Sequence, residues 1–193
     1  MRNYIIKLSG LFVACLLVLP TNADAYATTK QMAVRLSDHS ALFTITYRFG
    51  FLNRELKMPI GVQRGAFEPA SPYAHVALLA DSEDVSNLGT VAGIVLTDDE
   101  DVTVVDDEYY LPAGEAAEFT LVALVTLPDP LPEGDLDLAL NVSHLPFTMI
   151  KDGTPISARL NPSELQYYTT PEIDFRDQFQ PAIKGAVHTL MIK

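Results

Sequence analysis

The chain has no tryptophan, a single cysteine (Cys15), and no lysine or arginine anywhere from Gly65 to Ile150. One cysteine closes no disulfide within the chain, so the fold rests on packing and hydrogen bonds alone. The missing basic residues leave 17 Asp and Glu unopposed in that middle stretch, and the whole chain carries a net charge of −12. A surface of that sign repels phosphate backbones and anionic headgroups, which argues against nucleic acid and peripheral membrane binding. Catalytic motifs are missing too. Ser40, Ser143 and Ser157 lack the Gly-x-Ser-x-Gly elbow of a nucleophilic hydrolase, and no glycine-rich phosphate loop occurs. His39, His75, His144 and His188 stand at no i, i+2 or i, i+4 spacing, so there is no local zinc motif. Carboxylates abound, but a glycosidase needs two at a fixed separation and the sequence places none of them. The chain reads as a non-enzyme with no cofactor.

What is present begins with an export pattern. Arg2 and Lys7 precede a mostly apolar run from Leu8 to Leu19, then Pro20, then the small-residue sites Ala23-Asp24-Ala25 and Ala25-Tyr26-Ala27. That order is a secretory signal, expected over residues 1–25. The alternative of a retained anchor meets a short run, since a membrane helix needs roughly 20 apolar residues. A lipid-modified Cys15 meets Phe12 and Val13 in positions that suit it poorly. Cleavage after Ala25 leaves 168 residues with 11 basic and 24 acidic side chains, no cysteine and no inserted segment. The expected location is secreted, periplasmic or at the cell surface.

Beyond residue 28 the dominant period is two. Met32, Val34 and Leu36 alternate with Gln31, Ala33 and Arg35, predicting a strand whose apolar face is the first set. Phe43, Ile45, Tyr47, Phe49 and Phe51 alternate with Thr44, Thr46, Arg48 and Gly50 in the clearest core strand. Arg54 to Ile60 supplies another strand, with Pro59 at an edge or an end. Val91 to Leu96 is apolar on both faces and is expected to be a buried central strand. Val102 to Val105 follows, then a turn through Tyr109 to Glu115, then a second central strand from Phe119 to Leu127. Leu136, Leu138, Leu140 and Val142 alternate with polar residues. Asp152-Gly153 signals a hairpin between Phe147 to Ile150 and Ile156 to Leu160. Asn161-Pro162-Ser163-Glu164 suits one helical turn. The expected fold is all-β, an antiparallel β-sandwich of immunoglobulin-like or jelly-roll-like form with about eight to ten strands. It should occupy residues 26–172, with 173–193 a C-terminal tail or late strand.

The stretch Tyr109-Tyr110-Leu111-Pro112-Ala113-Gly114-Glu115-Ala116-Ala117-Glu118-Phe119-Thr120-Leu121 resembles a corner found in bacterial immunoglobulin-like and fibronectin-like surface modules. The resemblance implies an extracellular sandwich used for display, adhesion or spacing, and it carries no functional residue with it.

One cluster has ligand chemistry. Calcium takes six to eight oxygen ligands, and Asp98, Asp99 and Asp101, with Asp106, Asp107 and Glu108, are the candidates to supply them. If Val102 to Val105 is extended, the two groups lie roughly 13 Å or more apart and cannot share an ion. For sugar binding, only Tyr109, Tyr110, Tyr167 and Tyr168 could stack on a ring, and adjacent strand residues point to opposite faces. The expected function is therefore contact with a protein or cell-surface partner, with a calcium- or carbohydrate-binding module as the alternative. The oligomeric state is not legible. The first test is of export: N-terminal sequencing of the exported protein should begin at Tyr26 or Thr28, and a start at Met1 would return the anchor reading.

Overall fold

The computed structural model describes residues 25–51, 54–65, 71–85, 87–133, 136–159, 168–177 and 183–192. The expected signal, Ala25 apart, and the expected helical turn at Asn161 to Glu164 lie outside these residues. Every element among them is a strand: β1 (Ala25–Arg35), β2 (Ser40–Phe51), β3 (Glu55–Pro59), β4 (Val62–Arg64), β5 (Ala74–Ala80), β6 (Glu83–Asp84), β7 (Thr90–Leu96), β8 (Thr103–Val105), β9 (Glu108–Leu111), β10 (Ala116–Thr126), β11 (Asp137–His144), β12 (Pro146–Lys151), β13 (Thr154–Arg159), β14 (Ile173–Asp174) and β15 (Ile183–Ile192). The first sheet has the order β15-β1-β2-β10-β7. The second runs β14-β11-β5-β4 with β6 on β5, and the third runs β13-β12-β3-β9-β8. All pairings are antiparallel except β4 with β5.

The first sheet is one layer of an all-β sandwich; the second and third, end to end, make the other. Only Leu145 separates β11 from β12, and only Ile60 and Gly61 separate β3 from β4. The layers meet through aromatic side chains, Phe49 of β2 on Phe147 of β12 at 5.4 Å and Phe119 of β10 on Tyr109 of β9 at 5.7 Å between ring centres. Phe43, Ile45, Tyr47 and Phe49 are completely buried, as their alternation predicts. Each contributes about 1.5–3 kcal/mol on burial, so this row fixes which face of the first sheet turns inward. Phe119, Leu121, Ala123 and Val125 of β10 and Leu138, Leu140 and Val142 of β11 are buried in the same core. The Asp152-Gly153 hairpin forms with φ of 52° and 75°, the left-handed conformation a two-residue turn requires.

Two expectations are overturned. On β1 the buried residues are Thr29, Gln31, Ala33 and Arg35, while Met32, Val34 and Leu36 face outward. The register is the reason. Thr29, Gln31 and Ala33 stand directly opposite Tyr47, Ile45 and Phe43, and directly opposed residues share a face. Large side chains on β2 fill the interior, so the shared face takes small or polar side chains from β1. Arg35 ends this inner row as a plug: its guanidinium donates to the carbonyls of Ser37, Asp174, Phe175 and Asp177 and to Asp38 Oδ1. Its charge is thereby matched to oxygen acceptors.

The segment Val91 to Leu96 is an outer strand of the first sheet and not a buried central one. Ala92, Ile94 and Leu96 are exposed, and only Val95 is fully buried. Its outer edge is stitched to the other layer by a bridge from Ile94 to Gly61 and a bond from Val95 N–H to the Ile60 carbonyl. Gly93 permits this approach, since a Cβ there would lie 3.0 Å from Val62 and 3.1 Å from the Val122 carbonyl.

Pro59 stands at the end of β3, one of the two places expected for it, and β3 lies inside the third sheet between β12 and β9. Tyr109 to Leu111 is strand and not turn; the turn is Pro112 to Glu115, which passes the chain from the third sheet to the first. Ile183–Ile192 pairs with β1 over its whole length, so this late strand is part of the first sheet.

The Tyr47 hydroxyl is buried with no hydrogen-bond partner among the described residues. Burial foremost, and Tyr168 nearby, hold its pKa well above the ordinary phenol range. A group whose folded-state pKa is raised contributes stability that is complete below its unfolded value of about 10 and is lost as pH rises through the folded one. Chemical unfolding should show stability falling above pH ~10, a slope that Tyr47→Phe reduces. At neutral pH that variant should be unchanged or more stable by up to about 2 kcal/mol, since it removes an unmatched polar atom. A loss of 2 kcal/mol or more would mean that the hydroxyl is bonded.

Candidate functional site

The acidic residues build turns. Asp99 Oδ1 accepts the N–H of Asp101, Thr97 Oγ1 accepts the N–H of Asp99, and the Asp99 carbonyl accepts the N–H of Val102. Asp106 and Asp107 are the two central residues of the β8–β9 hairpin, with φ of 53° and 63°. Aspartate tolerates that conformation better than most residues, which gives the cluster a local structural origin. Glu108 Oε2 lies 3.9 Å from Lys57 Nζ. Among the described residues no three of His, Cys, Asp and Glu are gathered where they could hold a metal ion.

The tyrosines are largely committed to packing. Tyr109 rests on Phe119 and its hydroxyl donates to the Val95 carbonyl at 3.1 Å; Tyr168 is buried. Burial, with a hydrogen bond and repulsion from Glu55, raises the Tyr110 hydroxyl above its usual range. Tyr167 lies outside the described residues. Of the histidines, His39 Nε2 approaches Asp129 Oδ1 at 3.6 Å, and the fold brings His75 and His144 together with ring centres 6.1 Å apart. The side chain of His188 lies outside the described residues.

The feature that alternation alone did not reveal is the outward face of the first sheet. Its register lines up Val34, Leu42, Leu124 and Ala92 in one row across β1, β2, β10 and β7. Met32, Thr44, Val122 and Ile94 form the next row, and Lys30, Thr46, Thr120 and Leu96 the third. Within the third row Thr46 Oγ1 and Thr120 Oγ1 are hydrogen-bonded at 3.0 Å. Ile94, Leu96 and Leu124 are 40–46% exposed, and Leu36 extends the β1 edge. With strands ~4.8 Å apart and rows ~7 Å apart, this face covers on the order of 300 Å², the size of patch that often marks a contact site on a monomer.

One end of the face is charged. A groove of about 510 Å³ is lined by Leu96, Thr97, Asp98, Glu118 and Thr120. A smaller hollow of about 190 Å³ beside it adds Arg48, Asp99, Ala116 and Ala117. Arg48 Nη1 lies 3.4 Å from Glu118 Oε1, and since both are exposed this pair contributes little to stability. Three carboxylates and one guanidinium leave the groove acidic. The signal for this site was in the sequence, in the very residues of β1 and Val91 to Leu96 read as core. What was missing was the register that turned them outward.

No family model, no curated protein and no solved structure matches the chain.

The turn geometry sets an expectation for the acidic loops. Calcium and magnesium at equal ionic strength should raise the melting temperature equally, by screening the chain's self-repulsion, with no change in Asp99→Asn or Asp107→Asn. A larger calcium shift that either substitution abolishes would establish an ion site.

Proposed function

We propose that this is a non-enzymatic, exported β-sandwich that acts by protein contact, in display, adhesion or spacing at the cell surface, through the outward face of its first sheet. The observation that carries the reading is the four-strand apolar face centred on Val122, Leu124 and Ile94. A sheet face that meets only water ordinarily alternates to polar residues, and each large apolar side chain left exposed forgoes about 1.5–3 kcal/mol of burial. Covering the face recovers that energy. The basic, apolar and small-residue order of the first 27 residues supports export.

The occupant is a protein segment that carries apolar side chains next to a basic one. Apolar groups suit the rows on β10 and β7, and a lysine or arginine suits the groove of Asp98, Asp99 and Glu118. A second copy of the chain suits it less, because a net charge of −12 is repulsive between copies. At ~300 Å² the apolar face is the centre of an interface whose rim must be polar, since a stable contact buries about 800 Å² on each side.

The test is selection of displayed peptides on the full-length exported protein, followed by affinity measurements. Selected sequences should combine apolar residues with Lys or Arg. Ile94→Asp and Leu124→Asp should each weaken binding at least tenfold without unfolding the protein, and Glu118→Gln should weaken it less as salt rises. Unchanged affinity in both Asp variants would reject the face. A dimer in sedimentation velocity that Leu124→Asp dissolves would replace the outside partner by a second copy.

A further inference from the structure

A strand at the margin of a sheet turns a row of N–H and C=O groups away from its neighbour, a ready template for another chain, and proteins blunt such margins with short strands, proline or a covering segment. Most margins of the three sheets are blunted in these ways. The strands β4, β6, β8 and β14 are two or three residues long, and β13 carries Pro155. The margin at β7 is tied to the other layer through Ile94 and Val95. β15 has none of these protections. Its ten residues pair with β1 along their whole length, and among the described residues no strand pairs with their other side. They include no proline, and Gly185 among them is exposed. Extended, the strand is about 34 Å long, and since alternate residues of an antiparallel strand turn both backbone groups away from the neighbour, about five residues offer an N–H and a C=O outward.

Charge distinguishes this margin from the rest of the molecule. The strands β15 and β1 contain Lys184, Lys30 and Arg35 and no aspartate or glutamate, Lys30 is exposed, and Lys193 follows β15 directly in the sequence. The opposite margin of the same sheet carries Asp98, Asp99 and Glu118. In a chain with a net charge of −12 the β15 margin is therefore a basic one. Two copies of β15 laid side by side would bring basic residues together, which disfavours self-pairing there, whereas a strand bearing carboxylates is attracted.

We propose that the outer edge of β15 takes an extended segment of a partner protein as an added strand of the first sheet, a segment rich in aspartate or glutamate and without proline. Main-chain hydrogen bonds to β15 supply the affinity, and Lys184, Lys30 and Lys193 select the acidic partner. This edge is a separate site from the outward apolar face: it binds through backbone groups, at the other margin of the sheet from the acidic groove, and for a segment of the opposite charge.

The probe is a library of displayed random peptides, selected on the full-length exported protein carrying Ile94→Asp and Leu124→Asp, so that the apolar face is disabled and the two sites are read apart. Selected peptides should be enriched in Asp and Glu and poor in Pro, and a synthetic copy should lose at least tenfold in affinity when alternate backbone nitrogens are methylated. Its binding should slow amide hydrogen exchange within β15 and leave β7 unchanged. Adjacent strand residues turn their N–H groups to opposite sides, so of Ala186→Pro and Val187→Pro one removes only an outward donor. That variant should keep the melting temperature of the parent and lose at least tenfold in peptide affinity, while the other loses a bond to β1 and melts lower. Lys184→Glu should weaken binding at low salt and less as salt rises. Recovery of no peptide that binds below millimolar concentration, selection without acidic enrichment, or unchanged affinity in both proline variants would overturn the proposal. A dimer in sedimentation velocity that the stable proline variant dissolves would also overturn it, by giving the edge to a second copy.

Discussion

The inward row Phe43, Ile45, Tyr47 and Phe49 on β2 is the constraint from which the rest of the architecture follows. These four side chains occupy the centre of the sandwich, and each gains about 1.5–3 kcal/mol on burial. Once they point inward, the register assigns Thr29, Gln31 and Ala33 to the same face of β1, and Ala117, Phe119, Leu121 and Ala123 to the same face of β10. The alternation of a strand leaves no freedom after that. Met32 and Val34 on β1, Val122 and Leu124 on β10 and, one strand further, Ile94 and Leu96 on β7 must face outward, whatever their hydrophobicity.

The molecule therefore has two apolar faces on one sheet and water, or a partner, on one of them. At the ends of the inner row polar groups close the core: Arg35 gathers four backbone carbonyls at one end, and Tyr109 reaches the Val95 carbonyl beside the stitch that joins β7 to the other layer. Asp98 and Glu118 fall at the margin of the outward face because they flank β7 and open β10. Fold and proposed function are thus linked through one register: the arrangement that packs the core also assembles the apolar outward face and places carboxylates at its edge.

The legible and illegible parts divide along physical lines. β2 and β11 could be read because their alternation sets large apolar residues against polar ones, so the sequence itself states which face is inside, and β10 was legible as a central strand from its apolar run. The Asp152-Gly153 turn was legible because its backbone conformation restricts residue type. β1 was misread because its inner residues are small or polar while its outer ones are apolar, the reverse of the usual pattern; only the neighbours across the sheet decide. Val91 to Leu96 was misread because an apolar run on both faces fits a central strand and an outer strand with an exposed apolar face equally well. The acidic groups were visible as charge, but their role in turns at Asp106 and Asp107 depended on backbone angles. The meeting of His75 and His144, 69 positions apart in the chain, depended on strand pairing and a bulge.

Thiol accessibility tests the register directly, because the only natural cysteine, Cys15, falls within the expected signal. Single cysteines placed at Met32, Val34, Ile94 and Leu124 should react with a water-soluble thiol reagent in the folded protein, while cysteines at Ala33, Ala41 and Ala123 should react only on unfolding. A selected peptide bound to the face should slow the first group and leave the second unaffected. Protected thiols at Met32 and Val34 together with a reactive one at Ala33 would contradict the account, since β1 would then present its apolar set to the core and the first sheet would have no apolar face to offer.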